Sequence, residues 1–435
     1  MLSTKTFVGR LLWTFPDQGG FFSDDMSDSH NPPPASDPKG SPESAYAGFQ
    51  REDLLRYARH FVLPQVGPDG QRALAQAKVL LVGVGGLGSP AALYLAAAGV
   101  GTLGLVDADL VDLSNLQRQV LHGISHLGQF KVDSARDRLW ELNPNVEVIR
   151  HPVRLTSQNA LEIMEGYDLV VDGSDNFPTR YLVNDACVLS GKPYIYGAVD
   201  RWAGQVSVFG VGDGPCYRCL FRDPPPPGMV PTCAEAGVLG VLPGIIGSLQ
   251  ATEVIKLVLG VGDSLAGRLL IFDALELSFR EVRLRRNPRC PVCSENPSIT
   301  ELVDYDLFCG VDPEGLPSTR TPIAQVTPLE LMARLESGAR LGDPSRPFLL
   351  DVREPFEWEI GSLAHLGAVL IPYGEVPGRL DELPREGPVV AYCHVGVRSA
   401  LIAETLMRHG FNEVSNLKGG YLAWVEDVDP NLPRY

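Results

Sequence analysis

The run AKVLLVGVGGLGSPAALYLAAAGV (77–100) constrains the fold more than any other stretch of this chain. Its first part is short, aliphatic and unbroken, the pattern of a strand buried on both faces. Its last part is an Ala/Leu helix that ends at Gly99. Between them lies GVGGLG, Gly83 to Gly88. Glycines there let the backbone approach a phosphate, and the helix N-terminus offers free N–H groups and the positive end of a dipole. GTLGLVDAD, YDLVVDGSD and KPYIYGAV read as further strands separated by helical patterns. The expectation is a doubly wound, Rossmann-like α/β domain. Asp107 closes the second strand, where a carboxylate can accept hydrogen bonds from a ribose.

A glycine turn alone does not separate a nicotinamide nucleotide from ATP. The residues after it do. SNLQRQVL carries Asn115 and Arg118, GQFKVDSA carries Lys131, and GSDNFPTRYLVND carries Asp175 and Asn176. A nucleotidyl transferase needs cations on the phosphates and a carboxylate for magnesium. Arg118, Lys131 and Asp175 supply that set. A nicotinamide oxidoreductase would need a hydride pocket, and no His/Arg/Asp cluster recommends one.

The eight cysteines sort by context. Cys216 and Cys219 form one CxxC, and Cys290 and Cys293 a second. Four thiolates suit tetrahedral Zn²⁺ in a closed structural site, with about one zinc per chain expected. Cys233 lies in PTCAEAGV, among glycines that suggest a mobile loop. Cys393 heads YCHVGVRSA, between an apolar run and a helical pattern. A thiolate there is expected to face backbone N–H groups, a helix N-terminus and Arg398, all of which favour the anion and would also cradle a persulfide.

The bulk numbers set limits. The chain has 435 residues and a formal net charge of -16, which argues against sequence-independent nucleic-acid binding. The most apolar later stretch, Gly237 to Gly262, contains Gln250, Glu253 and Lys256 and reads as buried core, not a membrane span. No secretory signal is convincing, and a cytoplasmic protein is expected. Residues 1–45 read as a disordered extension and Met26 as a candidate start. Residues 46–293 read as the nucleotide domain, 294–325 as a Pro- and charge-rich linker, and 326–435 as a second α/β unit.

The segments LRYARHFVLPQVG, GVGGLGSPAALYLAAAGVG, DLSNLQRQVLH, DGSDNFPTRYLVNDAC, PCYRCLF, PTCAEAGVLG and GIIGSLQATEVIKL resemble the MoeB/ThiF family, adenylyltransferases related to ubiquitin-activating enzymes. The resemblance implies Mg-ATP adenylylation of the C-terminal glycine of a ubiquitin-like sulfur carrier ending in Gly-Gly. It implies nucleotide contacts from Gly83, Gly85, Gly86, Gly88, Asp107, Asn115, Arg118, Lys131 and Asn176, with magnesium on Asp175. It also implies a homodimer in which Arg59 reaches the partner's nucleotide, and the same four zinc cysteines. Cys233 matches the family's loop cysteine. FLLDVREPFEWE, the Cys393 loop and NLKGGYLAW resemble a rhodanese domain; GSLAHLGAVLIP departs from its usual G-H-I-x-G-A, so a local loop shift is expected there. Together the two resemblances imply that Cys393, loaded as a persulfide by a cysteine desulfurase or thiosulfate, delivers the sulfur that displaces AMP. Molybdopterin, thiamine, thiolated tRNA and cysteine synthesis all use such carriers. The remaining readings are adenylylation alone beside an independent sulfurtransferase, and a silent scaffold.

Overall fold

A computed structural model describes residues 45–225, 237–310, 323–336 and 345–435. The expected disordered extension up to residue 44, and Cys233, lie outside the described residues.

The first sheet has eight strands: β1 (Lys78–Val82), β2 (Thr102–Val106), β3 (Glu147–His151), β4 (Leu169–Asp172), β5 (Tyr194–Asp200), β6 (Ala203–Phe209), β7 (Arg268–Asp273) and β8 (Ser278–Arg283). Their order is β3-β2-β1-β4-β5-β6-β7-β8. From β3 to β5 the pairing is parallel, the doubly wound half expected from the sequence. From β5 to β8 it is antiparallel, an extension the strand–helix alternation did not reveal. Chain order reverses between β1 and β4, and such a switch point opens a crevice at the strands' carboxyl ends.

Helix Gly88–Ala98 follows the glycine turn, and Gly99, in the left-handed conformation, ends it. Two glycines of the turn are dictated by sterics. Gly83 has φ +87°, and a Cβ on Gly88 would sit 2.0 Å from the Gly83 carbonyl oxygen. No side chain fits where helix and strand pass that closely. The long apolar helix Val241–Leu259 is 44% buried over its most apolar window and packs against β5, β6 and helix Gly88–Ala98. Its Gln250 Nε2 donates to the Asp172 and Ile195 carbonyls at 2.7 and 3.2 Å, which pairs the amide nitrogen inside the core.

The first part of the stretch read as linker is packed onto the first domain. Helix Tyr305–Phe308 packs on helix Phe177–Ser190, with Tyr305 and Cys309 buried in the same apolar cluster. Composition misled because the few large residues of this stretch carry the packing.

The second sheet is wholly parallel: β9 (Ala324–Val326), β10 (Phe348–Asp351), β11 (Val369–Leu370), β12 (Val389–Tyr392) and β13 (Val414–Leu417), ordered β11-β10-β12-β13-β9. Helix Val397–Arg408 returns from the end of β12 and covers β12 and β13. In the GSLAHLGAVLIP segment a short 3-10 turn, Ala364–Leu366, leads through Gly367 at φ +89° into β11.

Candidate active site and metal centre

A cavity of about 260 Å³ opens at the switch point, between the ends of β1, β2 and β4. Gly83, Gly85, Gly86, Asp107, Arg118, Lys131, Asp175 and Asn176 all line it, although they come from five separate segments. Gly88 lies behind the wall, shaping it. Asn115 stands outside the lining and orients it: its Oδ1 accepts from Gln119 Nε2 at 2.7 Å and Arg118 Nη2 at 3.3 Å. Arg59 is exposed on the short helix Ala58–Phe61 and takes no part in this cavity.

Asp107 is held by the backbone. Its carboxylate accepts the Val84 N–H at 3.0 Å and the Asp109 N–H at 2.9 Å. Burial raises its pKa above the usual carboxylate range, against the pull of Lys131. Each oxygen retains a lone pair for a ribose hydroxyl. Lys131 is buried and ion-pairs with Asp109 at 2.7 Å. An ammonium has three donors, so two remain for phosphate oxygens.

Sequence reasoning assigned no role to four residues here. Asp109 adds a third carboxylate beside Asp107 and Asp175. Gln119 is buried with its Oε1 unpartnered. Arg180 is buried in the wall, its Nε unpartnered and its Nη2 donating to the Ser174 carbonyl at 3.4 Å. Its guanidinium lies over the rings of Phe177 and Tyr196. Arg180 stands one helical turn beyond Asn176, and that spacing was the available signal. His122 is buried beneath the turn, within 2.9 Å of the Val84 carbonyl and 3.0 Å of Ser134 Oγ. Burial lowers its pKa, so at neutral pH an uncharged ring donates from Nε2 to Val84 and accepts at Nδ1 from Ser134.

The two CxxC pairs converge. All four sulfurs of Cys216, Cys219, Cys290 and Cys293 lie within 4.8 Å of one another, with edges of 3.9, 3.5 and 3.4 Å. A tetrahedron with metal–sulfur bonds of about 2.3 Å has edges of about 3.8 Å, so this cluster has the size of a four-thiolate metal site. The Asn287 N–H donates to Cys219 Sγ at 3.3 Å, fixing one ligand from outside. Arg218, between the first two cysteines, is buried in a bidentate pair with Asp185.

Cys393 is buried at the end of β12. Its Sγ accepts the Gly396 N–H at 3.1 Å and lies 3.4 Å from Ser399 Oγ. Gly396, at φ +95°, turns the loop so that this N–H points inward. Arg398 pairs with Glu357. Both its terminal nitrogens reach the Glu357 carboxylate at 2.8 Å, so its charge is countered there. Against the push of burial, Arg398 holds Glu357 below the usual carboxylate range.

Comparison with known proteins places this geometry. The chain belongs to the ThiF family, which it matches over residues 57–292, and it carries a rhodanese-like domain over residues 327–427. It is 46% identical over 396 residues to the probable adenylyltransferase/sulfurtransferase MoeZ of Mycobacterium tuberculosis, covering 89% of this chain and 97% of that protein. It is 43% identical over 412 residues to the adenylyltransferase and sulfurtransferase MOCS3 of Drosophila grimshawi, covering 91% of this chain and 90% of that protein. The first domain alone is 59% identical over 268 residues to the sulfur carrier protein adenylyltransferase of Thermus thermophilus, covering 60% of this chain and 99% of that protein. A crystal structure of E. coli MccB with MccA-N7isoASN shares the fold at a TM-score of 0.51 and 22% identity, over 58% of this chain and 77% of that one.

Proposed function

We propose that this chain uses ATP to adenylylate the C-terminal glycine of a ubiquitin-like sulfur carrier, and that Cys393 then delivers sulfur to the activated carbonyl. One observation carries the reading: a single cavity at the switch point gathers the glycine turn, Arg118, Lys131 and Asp175, in a chain that also holds a thiol in a backbone cradle.

A carboxylate is a poor electrophile and an acyl adenylate a good one. The carrier's carboxylate oxygen attacks the α-phosphorus and pyrophosphate departs. Arg118 and Lys131 face the departing charge, Asp107 the ribose, and the turn's N–H groups the phosphates. Magnesium held by Asp175, with Asp109 nearby, would neutralise phosphate charge. A persulfide on Cys393 then attacks the acyl carbonyl through its terminal sulfur, AMP leaves, and carrier and enzyme are joined through an acyl disulfide. A second thiol attacks the Cys393 sulfur and releases the carrier thiocarboxylate. Cys233 is our candidate for that thiol or for an acyl thioester. The sulfur donor is a cysteine desulfurase or thiosulfate.

Zinc is the ion we assign to the four-cysteine cluster, where it ties the end of the first domain back to its middle. We assign a homodimer in which Arg59 reaches the partner's nucleotide. Exposed Leu54, Leu55, Val62 and Leu63 surround Arg59 in sequence and support a covered face there. A cytoplasmic location fits unpaired thiols at all the described cysteines.

Asp175→Ala tests the adenylylation step. It should abolish carrier-dependent ATP–pyrophosphate exchange while sulfur transfer from thiosulfate to cyanide persists. Near-normal exchange would refute the role of Asp175.

A further inference from the structure

The Cys393 loop is held by a residue far from it in sequence. The ring of Tyr435 stacks on His394, centroids 4.5 Å apart and planes 34° apart. Its phenol donates to Glu357 Oε1 at 3.1 Å and accepts from Arg353 Nη1 at 2.6 Å. Glu357 in turn grips Arg398, the residue that ends the loop. Arg353 is itself fixed: fully buried, paired with Asp351, and 4.3 Å from the Tyr421 ring. A phenol has one proton to donate, and here both donation and acceptance are used. Burial pushes the Tyr435 hydroxyl well above its ordinary range, so it remains a donor. One side chain therefore touches the loop's second residue directly and its last residue through Glu357.

We propose that Tyr435 is a positioning residue for sulfur loading: its ring fixes His394 and its hydroxyl fixes Glu357 against Arg398, keeping the loop's N–H groups aimed at sulfur on Cys393. The inference rests on the reading of Cys393 as the sulfur-bearing thiol. With thiosulfate as donor, the Cys393 thiolate attacks the sulfane sulfur. The sulfur–sulfur bond of thiosulfate breaks, sulfite leaves with the electron pair, and a persulfide forms on Cys393. Negative charge spreads over the two sulfurs inside the loop, so a loop that loses its set slows this step more than it weakens donor binding.

The test uses the full chain as wild type, Tyr435→Phe and Tyr435→Ala. Thiosulfate is the donor and cyanide the acceptor, and persulfide on Cys393 is read by mass spectrometry. ATP–pyrophosphate exchange is the folding control. Tyr435→Phe keeps the stack and loses the hydrogen bonds; a net loss near that of one hydrogen bond lowers kcat about five-fold. Tyr435→Ala loses both and should fall further, with KM for thiosulfate and pyrophosphate exchange unchanged. A Tyr435→Ala kcat equal to wild type would overturn the proposal, as would a fall matched by a rise in KM. If Tyr435→Ala also loses exchange, Tyr435→Phe decides: an unchanged kcat overturns the proposal, and a lowered kcat at constant KM supports it. A wild-type chain that takes up no sulfur from thiosulfate or from a persulfide donor would overturn the sulfur-transfer reading and this inference with it.

Discussion

Replacing Asp185 by Asn should weaken the first domain where the metal cluster meets the core. Arg218 and Asp185 are 1% and 0% exposed as side chains. Three contacts join them, at 2.8, 3.0 and 2.8 Å, and Tyr305 Oη adds a fourth hydrogen bond to the carboxylate at 2.8 Å. The guanidinium lies between Tyr181 and Phe308, its carbon 4.7 and 4.4 Å from their ring centroids, where water cannot replace the lost charge. Removing one partner of such a pair leaves an uncompensated buried charge, at a cost of about 3–5 kcal/mol. For a domain of this size that lowers Tm by roughly 10 °C. Arg218 sits in the turn Tyr217–Leu220, beside Cys219, so metal should also be released at lower denaturant. Calorimetry and a colorimetric assay of released metal check both. The double change Asp185→Leu with Arg218→Met should recover much of the loss, because apolar replacement of a buried pair is often near neutral. An Asp185→Asn protein that melts within about 2 °C of wild type and keeps its metal would refute the reasoning.

Two further outcomes follow from the geometry of the glycine turn. Gly88→Ala forces a Cβ to within 2.0 Å of the Gly83 carbonyl oxygen, a backbone atom that cannot swing away. Nucleotide binding, measured by calorimetry, should be lost, with sulfur transfer from thiosulfate retained. The pH dependence of stability should carry the signature of His122. Its folded pKa is lowered by burial, so the unfolded chain binds the proton more readily. The stability it contributes is present above the unfolded value of about 6.5 and is lost as pH falls from there through the folded value. His122→Gln should flatten that fall in denaturation curves taken between pH 7 and 5.

Much of this architecture was legible because the signals are local. The strand, turn and helix of residues 77–100 follow from apolar run, glycine spacing and Ala-rich period, and the sterics of Gly83 and Gly88 explain why the glycines are needed. The two CxxC pairs announced a cluster because ligand type and spacing are both visible in the chain. What escaped was non-local. β8 has every residue exposed, so its strand pattern has no buried face to reveal it. The Glu357–Arg398 pair spans 41 residues, and the Tyr435–Glu357 contact 78, distances over which sequence carries no pairing signal. Arg180 reads as a surface charge until the fold places it in the cavity wall.

The central claim is coupled activation and sulfur transfer, and intact mass spectrometry of a ubiquitin-like carrier ending in Gly-Gly tests it most directly. The carrier is incubated with this protein, Mg-ATP and thiosulfate, then released with a thiol reductant. The account predicts replacement of one carrier oxygen by sulfur, lost when ATP is omitted and lost in Cys393→Ala. AMP formation with no mass shift, or a shift undiminished in Cys393→Ala, would contradict it.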